Sequence, residues 1–235
     1  MYRDWSSKLE SSSPRHKMTK TLAELEAFLD DAFSWRRAEL VALETEIARH
    51  YKNSPDSPLT RALARSGVAL LYAHWEGYVK EACEAYLEYI SVRRLRYQEL
   101  CDELVITALL GLLRRVDTGD DVAHESLLEL VRRPDTARAR MPRRESVVNT
   151  KSNLNYEVLA GLCIKLGLPE SEFTTRKNLI NRSLCDARNQ IAHGRLYFPD
   201  AGGFADLRDR VLEMLESMHS LLVSHARDGR YRVNT

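Results

Sequence analysis

Apolar residues recur at helical spacing along most of the chain, and no run alternates convincingly as a half-buried strand does. Thr21-x-x-Glu24 reads as a capping box opening a first helix that runs to about Tyr51. Its predicted buried stripe holds Leu22, Leu25, Phe28, Leu29, Ala32, Trp35, Leu43 and Ile47. Asn53 to Pro58 is a turn, with proline near the start of the next helix. That second helix spans about Leu59 to the early 90s and is apolar on most of its circumference, from Leu63 through Trp75 and Tyr78 to Ile90. A helix of this kind belongs at the centre of a bundle or in a subunit interface.

A third helix is expected from Glu99 to Val116, around Leu104, Ile106, Leu109, Leu110, Leu112 and Leu113, and a short one from His124 to Arg132. Leu154 to Leu166 gives another, stopped by Gly167. Thr174 or Thr175 is the expected cap of a helix ending at His193. A last helix runs from Phe204 to about Ala226 with Leu207, Val211, Leu215, Met218 and Leu222 on one side. The pattern predicts an all-α fold in which residues 20–235 form one helical domain behind a loose polar tail, residues 1–19. Residues 132–151 interrupt it. There Arg132, Arg133, Arg138, Arg140, Arg143, Arg144 and Lys151 face only Asp135 and Glu145, which reads as a basic loop insertion. Periodicity leaves open whether residues 100–150 join the bundle or form a mobile insertion.

Composition adds limits. With 44% hydrophobic and 29% charged residues the chain is of ordinary globular type. A net charge of +1 gives no global attraction to nucleic acid, so any RNA contact needs a local basic patch such as that loop. Cys83, Cys101, Cys163 and Cys185 are far apart and form no Cys-x2-Cys pair, which fits reduced thiols rather than a zinc site. The first twenty residues lack the apolar stretch of a signal peptide, and no apolar run approaches the ~18 residues that span a bilayer. The expected location is the cytoplasm, with no membrane partner.

The chemistry concentrates in Arg188-Asn189-Gln190-Ile191-Ala192-His193-Gly194. Histidine moves protons near neutral pH. A guanidinium holds phosphate through a planar fork of donors. Asparagine orients either group, or the phosphate, by hydrogen bonds. The bare Arg-x4-His spacing carries little weight, since 27 arginines and 7 histidines produce roughly one such pair by chance. The context carries more: Asn189 follows the arginine, Ile191 and Ala192 precede the histidine, and Gly194 sits where a helix favours a left-handed residue. On an α-helix Asn189 and His193 share a face, whereas Arg188 lies about 140° round the cylinder from His193. Two such helices packed about a two-fold axis would gather two arginines and two histidines around one groove.

Those residues resemble the HEPN superfamily, whose catalytic members carry an Arg-polar-x3-His signature. The likeness continues in Val68-Ala69-Leu70-Leu71-Tyr72-Ala73-His74-Trp75-Glu76-Gly77-Tyr78-Val79-Lys80, in Thr150-Lys151-Ser152-Asn153-Leu154-Asn155, in Leu166-Gly167-Leu168, and in Asn178-Leu179-Ile180. It covers roughly residues 20 to 225. The resemblance implies a HEPN-like helical bundle with additional helices. It also implies a homodimer whose composite cleft takes single-stranded RNA, and a bacterial toxin or anti-phage effector restrained by an antitoxin or regulatory protein. The implied reaction is metal-independent endoribonuclease cleavage by attack of a ribose 2′-hydroxyl, leaving 2′,3′-cyclic phosphate and 5′-hydroxyl ends, with no cofactor. Arg188, Asn189 and His193 are the implied catalytic residues. Glu76 is an auxiliary candidate, or else an intrahelical partner of Lys80, and His74 reads as a satisfied core histidine. Arg195 and Tyr197 are further auxiliary candidates, and Arg138, Arg140, Arg143 and Arg144 are candidate RNA contacts. Some HEPN toxins paired with a nucleotidyltransferase antitoxin carry tyrosine two residues after the histidine; Arg195 stands there instead. Two rival readings remain at this point: a non-catalytic module that binds nucleotide or RNA, and a helical scaffold in a defence complex.

Overall fold

Thr21 caps the first long helix as its sequence requires. Its side chain accepts from the Glu24 backbone N–H while the Glu24 carboxylate reaches back to the Thr21 N–H, so α1 spans Leu22–Asn53. Ser57 caps α2, Pro58–Ser91, with the proline at its first position, where a missing N–H costs nothing. The computed structural model describes residues 19–197 and 199–233. A 3-10 turn, Tyr97–Glu99, leads to α3, Asp102–Asp117, and α4, Asp121–Arg132. A single-turn α5, Arg144–Val147, precedes α6, Tyr156–Lys165. A 3-10 segment Glu170–Arg176 and a π-helix Leu179–Asp186 run into α7, Ala187–Ala192, and α8, Ala201–Arg227, closes the chain. Among the described residues the only β pairing is two isolated bridges, Arg96 with Arg138 and Leu100 with Arg232.

Helices α1, α2 and α8 pack on one another as the central layer, α7 lies on α2, and α3 joins α4 and α6. As its composition predicts, α2 is the hub, burying Leu71, Trp75, Tyr78, Val79, Ala82, Tyr86 and Ile90 among others. Its Gly67 lets α8 approach closely: a β-carbon there would sit 2.6 Å from the Phe204 ring and 2.8 Å from Ile47 Cδ1. On α8 the predicted row Leu207, Val211, Leu215, Met218 and Leu222 is buried.

Several expectations are corrected. Trp35 is 51% exposed, and its neighbour Arg36, 2% exposed, takes the inward position on α1. Burial of that charge is offset by the Glu81 carboxylate at 2.9 Å, the Ala32 carbonyl at 2.7 Å, and the Trp35 ring 4.3 Å from its Cζ. On α3, Ile106, Leu110 and Leu113 are at least half exposed, because Leu104, Ala108 and Leu112 on the opposite face fill the core. Neither Thr174 nor Thr175 caps the motif helix; both lie within the 3-10 segment, and the Thr174 hydroxyl meets that of Tyr156. Residues 100–150, left open by periodicity, join the core through Leu104, Ala108, Ala137, Ala139, Val147 and Val148. The basic loop is likewise tied down, by Ala139 N–H to the Leu95 carbonyl and Tyr97 N–H to that of Ala137. Of the expected tail, residues 1–18 lie outside the described residues, and Thr19 is buried, donating its hydroxyl to the Ala85 carbonyl.

His74 is a buried histidine with a partner, Glu39 Oε2, 2.7 Å from Nε2. Burial lowers its pKa, with Arg36 adding to the fall and Glu39 opposing it. Burial and Arg230 lower that of His225, against Asp228. A histidine held neutral when folded resists a proton that the unfolded chain accepts. Stability is therefore fully present above the unfolded value of about 6.5 and declines as pH falls from there toward the folded values. The urea midpoint should drop between pH 7.5 and 5.5, and His74→Gln should flatten the slope. A midpoint that holds or rises at pH 5.5 would contradict this.

Candidate active site

Three stretches far apart in sequence converge on Arg188. From α2 come Ala69, Tyr72, Ala73 and Glu76, from the segment before α6 comes Ser152, and from α7 come Arg188, Ile191 and Ala192. Together they line an open depression of about 310 Å³. Leu154 ties the three stretches together. Its N–H donates to the Tyr72 hydroxyl at 2.7 Å, and its carbonyl accepts from Trp75 Nε1 and from Cys185 Sγ, both at 3.4 Å. Trp75 is fully buried against Phe173, so the hub of the fold and the floor of the site are one structure.

Arg188 is half-buried. Its Cζ lies 4.0 Å from the centre of the Tyr72 ring, and Nη2 donates to the Ser152 carbonyl at 2.8 Å and to Asn153 Oδ1 at 3.4 Å. Nε is enclosed without a partner among the described residues. Burial pushes the Tyr72 phenol up to about 12, against the Leu154 N–H and Arg188, so the ring stays protonated near neutral pH and acts as a platform rather than a base. Burial likewise takes the Cys185 thiol to about 11, which removes it as a thiolate nucleophile.

Asn189 is half-buried and His193 is exposed at the end of α7. Neither side chain has a hydrogen-bond partner among the described residues, so both are available to a ligand. The helix stops in a Schellman arrangement: Arg195 N–H reaches the Gln190 carbonyl at 2.9 Å, Gly194 N–H reaches that of Ile191 at 3.0 Å, and Gly194 has φ +72°. A β-carbon at Gly194 would meet nothing within 4 Å, so only its backbone conformation argues for glycine. Gly194→Ala should therefore cost about 1–2 kcal/mol, read as a lower unfolding midpoint. An unchanged midpoint would show that the end of α7 relaxes freely.

Of the remaining candidates, Glu76 lines the depression and pairs with neither Arg188 nor Lys80 among the described residues. Arg195 is exposed, and Tyr197 packs partly against the core. Arg138 and Arg140 line a different depression, with Ser91 at the C-terminal end of α2. The fifteen residues from Glu76 to Ser91 place that end roughly 22 Å along the helix axis. Arg138 donates to the Arg94 carbonyl at 2.6 Å, Arg144 pairs with Glu88 and Glu145, and Arg143 is exposed. Within one chain these arginines do not meet Arg188. Sequence reasoning missed Tyr72, Ser152 and Asn153 as partners of Arg188, although the likeness of the two stretches that contain them was the available signal. It also missed Arg65, whose Nη2 lies 3.5 Å from the Ile191 carbonyl and brings a second guanidinium to the end of α7.

Among the described residues, no group of three or more His, Cys, Asp and Glu is placed to hold a metal ion, and no helix is long and apolar enough to cross a membrane. No curated protein and no solved structure is significantly similar to the chain. The profile of the RiboL-PSP-HEPN family matches residues 31–224, which covers both stretches and the motif, and the chain therefore belongs to the HEPN superfamily.

Proposed function

We propose that this protein is a metal-independent endoribonuclease of the HEPN type, acting as a homodimer in a toxin or anti-phage role under the control of a partner protein. The observation that carries the reading is the convergence of three distant stretches on Arg188, one turn of helix from an exposed and unpartnered His193. In the proposed reaction the ribose 2′-oxygen attacks the adjacent phosphorus and gives its proton to a neutral His193. The bond from phosphorus to the 5′-oxygen breaks, and that oxygen takes a proton from His193 of the second protomer. Arg188 stabilises the charge on the phosphorane-like transition state. Asn189 fixes the imidazole or a phosphate oxygen. Arg138 and Arg140 offer backbone contacts at the other end of α2. Arg188 and His193 stand about 140° apart round the helix, which favours a site shared between two protomers.

The same separation supports a second reading, a module that binds nucleotide or RNA without cleaving it. The deciding experiment incubates the purified protein with total RNA in excess EDTA and analyses the fragment ends, while sedimentation reports the oligomeric state. Fragments ending in 2′,3′-cyclic phosphate, made by a dimer, support the nuclease. Intact RNA that is nevertheless retained by the protein supports the binding module. Metal-dependent cleavage would refute the proposed chemistry.

A further inference from the structure

Two non-glycine residues in succession, Lys151 at φ +54° and Ser152 at φ +56°, adopt the left-handed conformation. They are the central pair of a turn closed by Asn153 N–H on the Thr150 carbonyl at 3.0 Å, the arrangement of a type I′ turn. Such turns normally draw on Asn-Gly or Gly-Gly, because a side chain at positive φ is strained. Strain of that kind persists only where the surroundings over-determine it. Here they do. Lys151 N–H donates to Asn149 Oδ1 at 2.8 Å, Asn155 N–H to the Asn153 carbonyl at 2.8 Å, and Leu154 N–H to the Tyr72 hydroxyl at 2.7 Å. The carbonyl that this turn presents, that of Ser152, is the one Arg188 Nη2 meets.

We infer that the Thr150–Asn153 turn and the Tyr72 ring form a clamp that positions Arg188 for phosphate. The ring supports one face of the guanidinium, the turn holds Nη2, and Nε is shut in. Nη1 is then the one terminal nitrogen left without a protein partner among the described residues. A flexible cation becomes a fixed donor, and its ordering is complete before substrate arrives. Tyr72, Ser152 and Asn153 are thus positioning residues that act through Arg188. The kinetic part of this inference rests on the nuclease reading; the ordering of the side chain does not.

The test compares Tyr72→Phe with Tyr72→Leu. Both lose the hydroxyl that Leu154 N–H needs, so both should melt earlier than the wild type. Only the leucine loses the ring face. Phenylalanine should keep most of kcat, whereas leucine should lower kcat by about 10²-fold with little change in KM. Nitrogen-15 relaxation of the Arg188 Nε–H gives a readout independent of activity. It should report an ordered side chain in wild type and Tyr72→Phe, and a mobile one in Tyr72→Leu. Arg188→Ala is assayed alongside. Cleavage that Arg188→Ala leaves intact would sink the nuclease site, and the relaxation data would still judge the clamp. A mobile Arg188 in the wild type, or a leucine variant with full kcat and an ordered Arg188, would overturn the clamp itself. If the leucine variant does not fold, Asn153→Ala takes its place: loosened Nε–H relaxation supports the clamp, and unchanged relaxation with unchanged kcat refutes it.

Discussion

If the protein cleaves RNA as proposed, His193→Ala should lower kcat/KM by about 10² to 10⁴-fold, the usual worth of a positioned proton-transfer group, and leave the fold intact. Both halves of that expectation follow from where the residue sits. His193 ends α7 at φ −87°, a conformation that alanine adopts freely, and its exposed ring has no protein partner to lose among the described residues. Surface positions of this kind stay within about 0.5 kcal/mol of wild-type stability. The loss is therefore chemical. In a composite site one variant protomer also removes a proton carrier from its partner, so mixed dimers should fall below half activity. The measurement is a kinetic assay on a labelled oligoribonucleotide, paired with a melting curve. Full cleavage by a folded His193→Ala protein would remove the histidine from the mechanism. A collapsed melting curve would mean that the ring has a structural task not visible in a single chain.

Helical periodicity locates the long helices well because they are made by local rules. The capping box at Thr21, the proline that opens α2 and the glycine after His193 all act within one turn of themselves. It fails where a distant partner decides. The inward position on α1 goes to Arg36 rather than Trp35 because Glu81, from another helix, compensates the buried charge. The same limit applies to α3: apolar content does not say which of two opposed apolar faces meets the core. The motif helix departs for a different reason. Its buried residues Leu179, Ile180, Leu184 and Cys185 recur every five positions, which a 3.6-residue period scatters and an i to i+5 turn gathers on one side. At the site, the motif residues were legible as a string, but their support was not. Tyr72 precedes Arg188 by 116 positions, and the strained Lys151–Ser152 pair contains no glycine to announce its turn.

Removing the guanidinium should be nearly as damaging as removing the imidazole, and the two changes should look different. Arg188→Ala deletes the donor proposed to meet the developing charge, so kcat should fall by about 10² to 10³-fold, as when a single oxyanion donor is removed. Arg188→Lys keeps the charge but not the function. An ammonium offers no plane to lie on Tyr72 and no second nitrogen to meet phosphate while the first is held by Ser152. Lysine should therefore sit close to alanine in kcat, while holding RNA better at low salt, where charge alone contributes. Both variants release the Ser152 carbonyl and the Tyr72 face into a depression open to water. They should then cost only about 1–2 kcal/mol of stability, since the freed groups are rehydrated. Rates and RNA affinity across a salt series check this. A lysine variant with near wild-type kcat would mean that Arg188 works as a point charge, and the orientation argued from its pinned edge would be wrong.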